Sequence, residues 1–191
     1  MSVGKPDLSA MSAAIEQLLR ASGAELDAET KETPARVAKA WAEDLLDGYA
    51  RDPVALLRSS LVPAPRKGEL VIASQLDFHG MCPHHLLPYQ GTAAVGYVAD
   101  AHLVGFGKIA EALEALSHRL ILQESLVVRL CDAIGEALAP LGAGVVISAE
   151  HGCMQVRGPK QRRSRITVES WSGVFEREPE LRARLARRAE G

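Results

Sequence analysis

The longest run of helical periodicity in the chain lies between Lys108 and Leu138, and it limits what the rest can fold into. Ile109, Leu113, Leu116 and Leu120 form one apolar stripe at three- and four-residue spacing, and Leu126, Leu130, Ile134 and Leu138 form a second. Gln123 and Glu124 interrupt the apolar pattern near the changeover, which fits two helices or one long bent helix equally well. Segments suited to strands flank this region: LVIASQLDF and GTAAVGYV before it, GVVISAE and SRITVES after it. Helices, two strands, long helices and two or more strands, in that order, predict an α+β domain with helices covering one face of a mostly antiparallel sheet.

The domain is expected over residues 66–175, after a helical segment at 1–65 and before a charged tail at 176–191. In the front segment, Thr33-Pro34 offers a hydroxyl cap followed by proline, and Val37, Trp41 and Leu45 recur every fourth residue up to Gly48. The following DPVALLRSSLVPAPRKGE, broken by prolines, reads as a crossing segment with no regular partner. The tail fits a terminal helix or a solvated end equally well.

Charge narrows the function classes. Lys and Arg number 22 against 24 Asp and Glu, so no bulk positive field exists to hold nucleic acid or an anionic membrane. Aromatic residues make up 4% of the chain, too few for base-stacking platforms. No apolar run reaches the roughly 20 residues that span a bilayer, and no basic start joins an apolar run, so a cytoplasmic location is expected. Partners must be argued from local sites.

The HGMCPHHLLPY segment sits between two expected strands, where a rigid scaffold can present chemistry. Cys82 and His85 are three residues apart, a spacing at which a tight loop brings a thiolate and an imidazole to one ion, and Cys153 in HGCM is a distant third candidate. A Cys2His set with an open fourth position suits catalytic zinc, whereas a structural site needs a fourth ligand, for which His79, His84 and His151 are available. The bland alternative is buried thiols and surface histidines. Cys131, among Val127, Leu130 and Ile134, reads as core. His84 and His151 are also acid-base candidates, since imidazole titrates near neutrality.

Glu124, with Gln123, is a polar pair in an apolar region; its carboxylate suits an amidine-like edge such as N1 and the 2-amino group of guanine, or merely a salt bridge on a helix surface. RGPKQRRSR carries Arg157, Lys160, Arg162, Arg163 and Arg165, a run that fits a small anion or plain solvation. Lys108 and Arg119 add positive charge from the helices. There is no GxxxxGK[ST] phosphate loop and no HxE with PCxxC deaminase pattern.

Taken together, TPARVAKAW, CPHHLLPY, GFGKIAEAL, LQESL and HGCMQVRG resemble the GTP cyclohydrolase I family, in its order and spacing over roughly residues 25–175. The resemblance implies the tunnelling fold, an antiparallel sheet with paired helices on one face, with subunits joined in two pentameric rings that form a homodecamer. It implies Zn2+ held by Cys82, His85 and Cys153, catalytic histidines at His84 and His151, a guanine pocket at Gln123 and Glu124, and triphosphate contacts at Lys108 and Arg157. The implied reaction adds water at C8 of GTP, releases formate, and rearranges the ribose to give 7,8-dihydroneopterin triphosphate without a redox cofactor.

Three positions depart from the family pattern. Pro83 stands where the family usually has Glu, Gly107 where it often has Ser, and Glu111 where it often has Arg. A carboxylate near the expected phosphates repels them, unless Glu111 turns away to pair with an arginine. The departures leave two further readings open: a paralogue acting on a different or less phosphorylated purine nucleoside, and a non-catalytic, zinc-stabilised binding or assembly protein.

Overall fold

The computed structural model describes residues 4–189. Helix α1 (Leu8–Ala21) begins where the Asp7 carboxylate accepts a hydrogen bond from Ala10 N at 2.9 Å. Helix α2 (Thr33–Ala40) runs on into a π-helical turn at Trp41–Leu45 and a 3₁₀ turn at Asp47–Ala50. Thr33 is the first helical residue and not the cap. Its N–H is already bonded to Thr30 O at 2.9 Å, in a turn that Asp27 organises by accepting from Glu29 N and Thr30 N.

The segment expected to be irregular is not. Asp52 accepts hydrogen bonds from Val54 N and Ala55 N at 2.9 and 3.2 Å, and with Pro53 next in line it starts α3 (Pro53–Arg58). Strand β1 (Leu61–Pro63) follows. Then come the long strands β2 (Leu70–Met81) and β3 (Pro88–Val98), and β4 (His102–Val104), which pairs antiparallel with β1.

The periodic region resolves into two helices, α4 (Phe106–Ser117) and α5 (Gln123–Leu138). The break is held open from outside the helices: Leu120 N donates to the Tyr49 hydroxyl at 3.1 Å, and Ile121 N to Met81 O. Strand β5 (Gly142–His151), the single-turn α6 (Gly152–Gln155), strand β6 (Ile166–Gly173), the short α7 (Val174–Arg177) and α8 (Pro179–Ala189) complete the chain.

The main sheet is antiparallel throughout, in the order β2-β3-β5-β6. Side chains alternate between its faces. Ala93, Val95 and Tyr97 of β3, with Ala143, Val145 and Ile147 of β5, point to one side and pack with Ile109, Leu113, Leu126, Leu130 and Ile134 of the paired helices. Ala94, Val98 and Val146 point to the other and meet Phe175, Leu185 and Ala189. This is the α+β tunnelling-fold arrangement anticipated above, with an addition: the charged tail forms α8 and inserts Leu185, fully buried, against the far face.

That insertion has a measurable worth. Leu185→Ala removes a buried side chain from a small second core, and is expected to cost about 2–5 kcal/mol in urea unfolding. A loss below about 1 kcal/mol would mean that α8 merely rests on the sheet.

Candidate active site

The loop between β2 and β3 folds back on itself. Cys82 N donates to Leu87 O at 3.0 Å and Leu86 N to Cys82 O at 2.9 Å, while Leu86 takes a left-handed φ of 53°. Such a φ is uncommon for a side chain of this bulk and stores local strain. The fold-back brings His85 Nδ1 to 3.7 Å from Cys82 Sγ. From the neighbouring strand, β5 ends at His151 and the turn of α6 delivers Cys153. The ligand atoms of Cys82, His85 and Cys153 all lie within 4.8 Å of one another, the one such group among the described residues.

These donors fit a tetrahedral metal. With bonds of about 2.3 Å to sulfur and about 2.05 Å to nitrogen, a tetrahedral edge between S and N spans about 3.6 Å, close to the observed separation. Burial pushes the Cys153 thiol up, and the adjacent Cys82 adds to this, because two neighbouring thiolates repel without a cation between them; Arg157 pulls weakly the other way.

His151 lies beside this group, on the helix-facing side of the sheet by strand parity. The register places it opposite Tyr89, and the two rings stack with centroids 4.9 Å apart and 9° between planes. Tyr89 in turn donates its hydroxyl to Ile121 O at 3.1 Å. Across the other strand pair stands Gly80, where a Cβ would fall 2.6 Å from the Tyr89 ring, so only glycine leaves the ring its place. His151 Nε2 is 2.7 Å from Gln123 Oε1. Burial lowers the His151 pKa, opposed by the Glu124 carboxylate.

The other sequence candidates divide. Glu124 is exposed in the first turn of α5 and close enough to act on His151 electrostatically. Gln123 is buried, and its amide nitrogen donates to Ile147 O and Ile166 O, both at 2.9 Å, leaving no free N–H for a ligand. His84 is exposed on the β2–β3 loop, its ring edge-on to His85 with centroids 6.1 Å apart. His79 lies outside the cluster: its ring packs against His118 at 4.3 Å and its Nε2 donates to Asp44 O at 3.3 Å. Cys131 is buried, as expected.

Lys108 and Glu111 form a pair, with Nζ to carboxylate oxygens at 2.7 and 2.8 Å, so Glu111 turns to a lysine and not to an arginine. At Gly107 a side chain would meet open space. Arg119 departs from its expected role as a free charge: its guanidinium donates to Gly48 O, Ala115 O and Arg51 O, fastening the 3₁₀ turn to α4. Arg157, Lys160, Arg162 and Arg163 are exposed, while Arg165 pairs with Glu150 at 3.1 Å.

Sequence reading missed Tyr89 and Gly80. Their importance lies in the register of three strands, which no local pattern encodes. A glycine and a tyrosine bracketing the candidate metal loop at Gly80 and Tyr89 were the available signal.

Comparison with known proteins follows the same lines. The family model for GTP cyclohydrolase I matches residues 11–190. The GTP cyclohydrolase 1 of Bacteroides thetaiotaomicron is 41% identical over 143 residues, 75% of this chain and 72% of that one. That of Ralstonia nicotianae is 37% identical over 179 residues, covering 93% and 85%. That of Dehalococcoides mccartyi is 38% identical over 180 residues, covering 93% and 94%. Among solved structures, the archaeosine synthase QueF-Like in the apo form aligns with a TM-score of 0.48 at 18% identity, over 56% of this chain and 97% of that one. A family model spanning nearly the whole chain, and relatives of this identity matched along most of their length, lead to one conclusion: the chain belongs to the GTP cyclohydrolase I family.

Proposed function

We propose that the protein hydrolyses GTP at C8 of the guanine ring, releases formate and yields 7,8-dihydroneopterin triphosphate. The observation that carries this reading is the convergence of Cys82, His85 and Cys153 beside a buried-edge histidine, His151, in a chain of this family. The three donors would hold Zn2+, and among the described residues they leave one coordination position open, as a catalytic site requires. When bound, Zn2+ supplies Lewis acidity toward water near neutral pH.

The chain's own residues do the rest. Glu124, exposed at a helix N-terminus where negative charge is favoured, accepts hydrogen bonds from N1 and the 2-amino group of guanine and so fixes the base. His151 exchanges a proton with the opening imidazole ring, with His84 assisting from the metal loop. Arg157 and Lys108 face the phosphates. Pro83, in place of the usual glutamate, stiffens the loop at φ and removes one charge beside the ligands. By the same family reading, the protein assembles as a homodecamer of two pentameric rings and works in the cytoplasm.

A second reading rests on the Lys108–Glu111 pair. A lysine already clasped by a carboxylate offers little to a triphosphate, which favours a purine nucleoside with fewer phosphates as substrate.

Mass spectrometry of zinc-loaded protein incubated separately with GTP, GDP, GMP and guanosine decides between them. The expected result is formate and dihydroneopterin triphosphate from GTP. Turnover of a less phosphorylated compound alone selects the second reading, and no product from any of the four sinks both.

Metal content gives an independent check. Cys82→Ser, His85→Ala and Cys153→Ser should each reduce bound zinc at least tenfold by elemental analysis, whereas Cys131→Ser should retain it. Equal retention in all four variants would place the metal elsewhere.

Relieving the clasp should also be visible. Glu111→Arg is expected to lower the KM for GTP by at least about tenfold, equivalent to about 1.4 kcal/mol. An unchanged KM would show that position 111 does not meet the phosphates.

A further inference from the structure

Gln123 is the first residue of α5, and only 1% of it is exposed. A primary amide has two N–H groups and one carbonyl oxygen. Here the nitrogen is 2.9 Å from Ile147 O on β5 and 2.9 Å from Ile166 O on β6, so both N–H groups are spent on strand carbonyls. The opposite amide orientation would press Oε1 against those two carbonyl oxygens, acceptor against acceptor, in a buried place. The hydrogen-bond network therefore fixes which way the amide faces.

With that orientation set, Oε1 is the atom 2.7 Å from His151 Nε2. An acceptor pairs only with a donor, so Nε2 carries a hydrogen. Among the described residues His151 Nδ1 has no hydrogen-bond partner. The ring plane is fixed as well, by the parallel Tyr89 ring at 4.9 Å.

We propose that Gln123 is a positioning residue, not a guanine contact: it locks His151 in the Nε2–H tautomer, which leaves Nδ1 as the acceptor nitrogen of the neutral ring. A tautomer fixed by a second residue is how imidazole bases are commonly oriented. The lock belongs to the chain alone, and only its effect on turnover rests on the proposed reaction.

Two measurements test it. The first uses the wild-type, zinc-loaded protein labelled with 15N in its histidine rings, without substrate, and assigns His151 by comparison with His151→Gln. The expected spectrum shows a protonated Nε2 and a bare Nδ1 on the neutral ring; a protonated Nδ1 overturns the proposal. This readout decides the matter even if GTP is not turned over, and so separates failure of the lock from failure of the functional reading.

The second is Gln123→Met, which keeps the side-chain length and removes donors and acceptor alike. The expected outcome is a kcat for GTP at least about tenfold lower with KM changed less than threefold, together with a mixture of His151 tautomers. A raised KM with kcat intact would make Gln123 a contact to the base and overturn the proposal, as would an unchanged tautomer. If the variant does not fold, the wild-type spectrum alone decides whether the lock exists.

Discussion

The antiparallel pairing of β3 with β5 is the contact on which the site depends. Its register sets Tyr89 opposite His151 at one end and Val98 opposite Gly142 at the other. Because strand parity carries an unbroken face from Ala143 to His151, the residues that bury the core and the histidine beside the Cys82–His85–Cys153 group share one side of the sheet. A slip of one residue would turn His151 away from α5 and, with it, Cys153 away from the β2–β3 loop. Core packing and site geometry are thus not separate achievements of the sequence.

The paired helices complete the arrangement. The break between α4 and α5 presents the start of α5 to the strand ends, and Gln123 and Glu124 come from the same helical turn with opposite fates. One is buried and saturated with hydrogen bonds, the other exposed and charged. Adjacent positions on a helix diverge by about 100°, which is enough to send one amide into the protein and one carboxylate toward solvent.

Much of this was legible in the sequence. The two apolar stripes of α4 and α5 and the four long strands follow from periodicity, since burial of one face imposes it. The Cys82 and His85 spacing marked a candidate metal loop, with Cys153 a distant third candidate, and the fold brings the three ligand atoms within 4.8 Å of one another. What could not be read were relations set by register and by distant chain. Tyr89 gains its role only when paired with His151, and Arg119 is absorbed by carbonyls of the 3₁₀ turn. Glu111 had two readable fates, repelling phosphates or pairing with an arginine, and its partner is Lys108 three residues before it. The regular structure of α3 and β1 was obscured by prolines, although the Asp52-Pro53 start is itself a helix signal.

The left-handed backbone at Leu86 bears on the order of events in the protein's life. The β2–β3 loop is closed by its own two backbone hydrogen bonds, between Cys82 and Leu86 and between Cys82 and Leu87. These bonds tie the loop's backbone to itself, with no side-chain ligand needed to close it. In small zinc domains binding and folding are a single event; here Cys82, His85 and Cys153 are brought together by strands and a loop that the two cores and the backbone already hold. An ion bound there would meet a loop whose backbone is tied to itself, away from the sheet and its two cores.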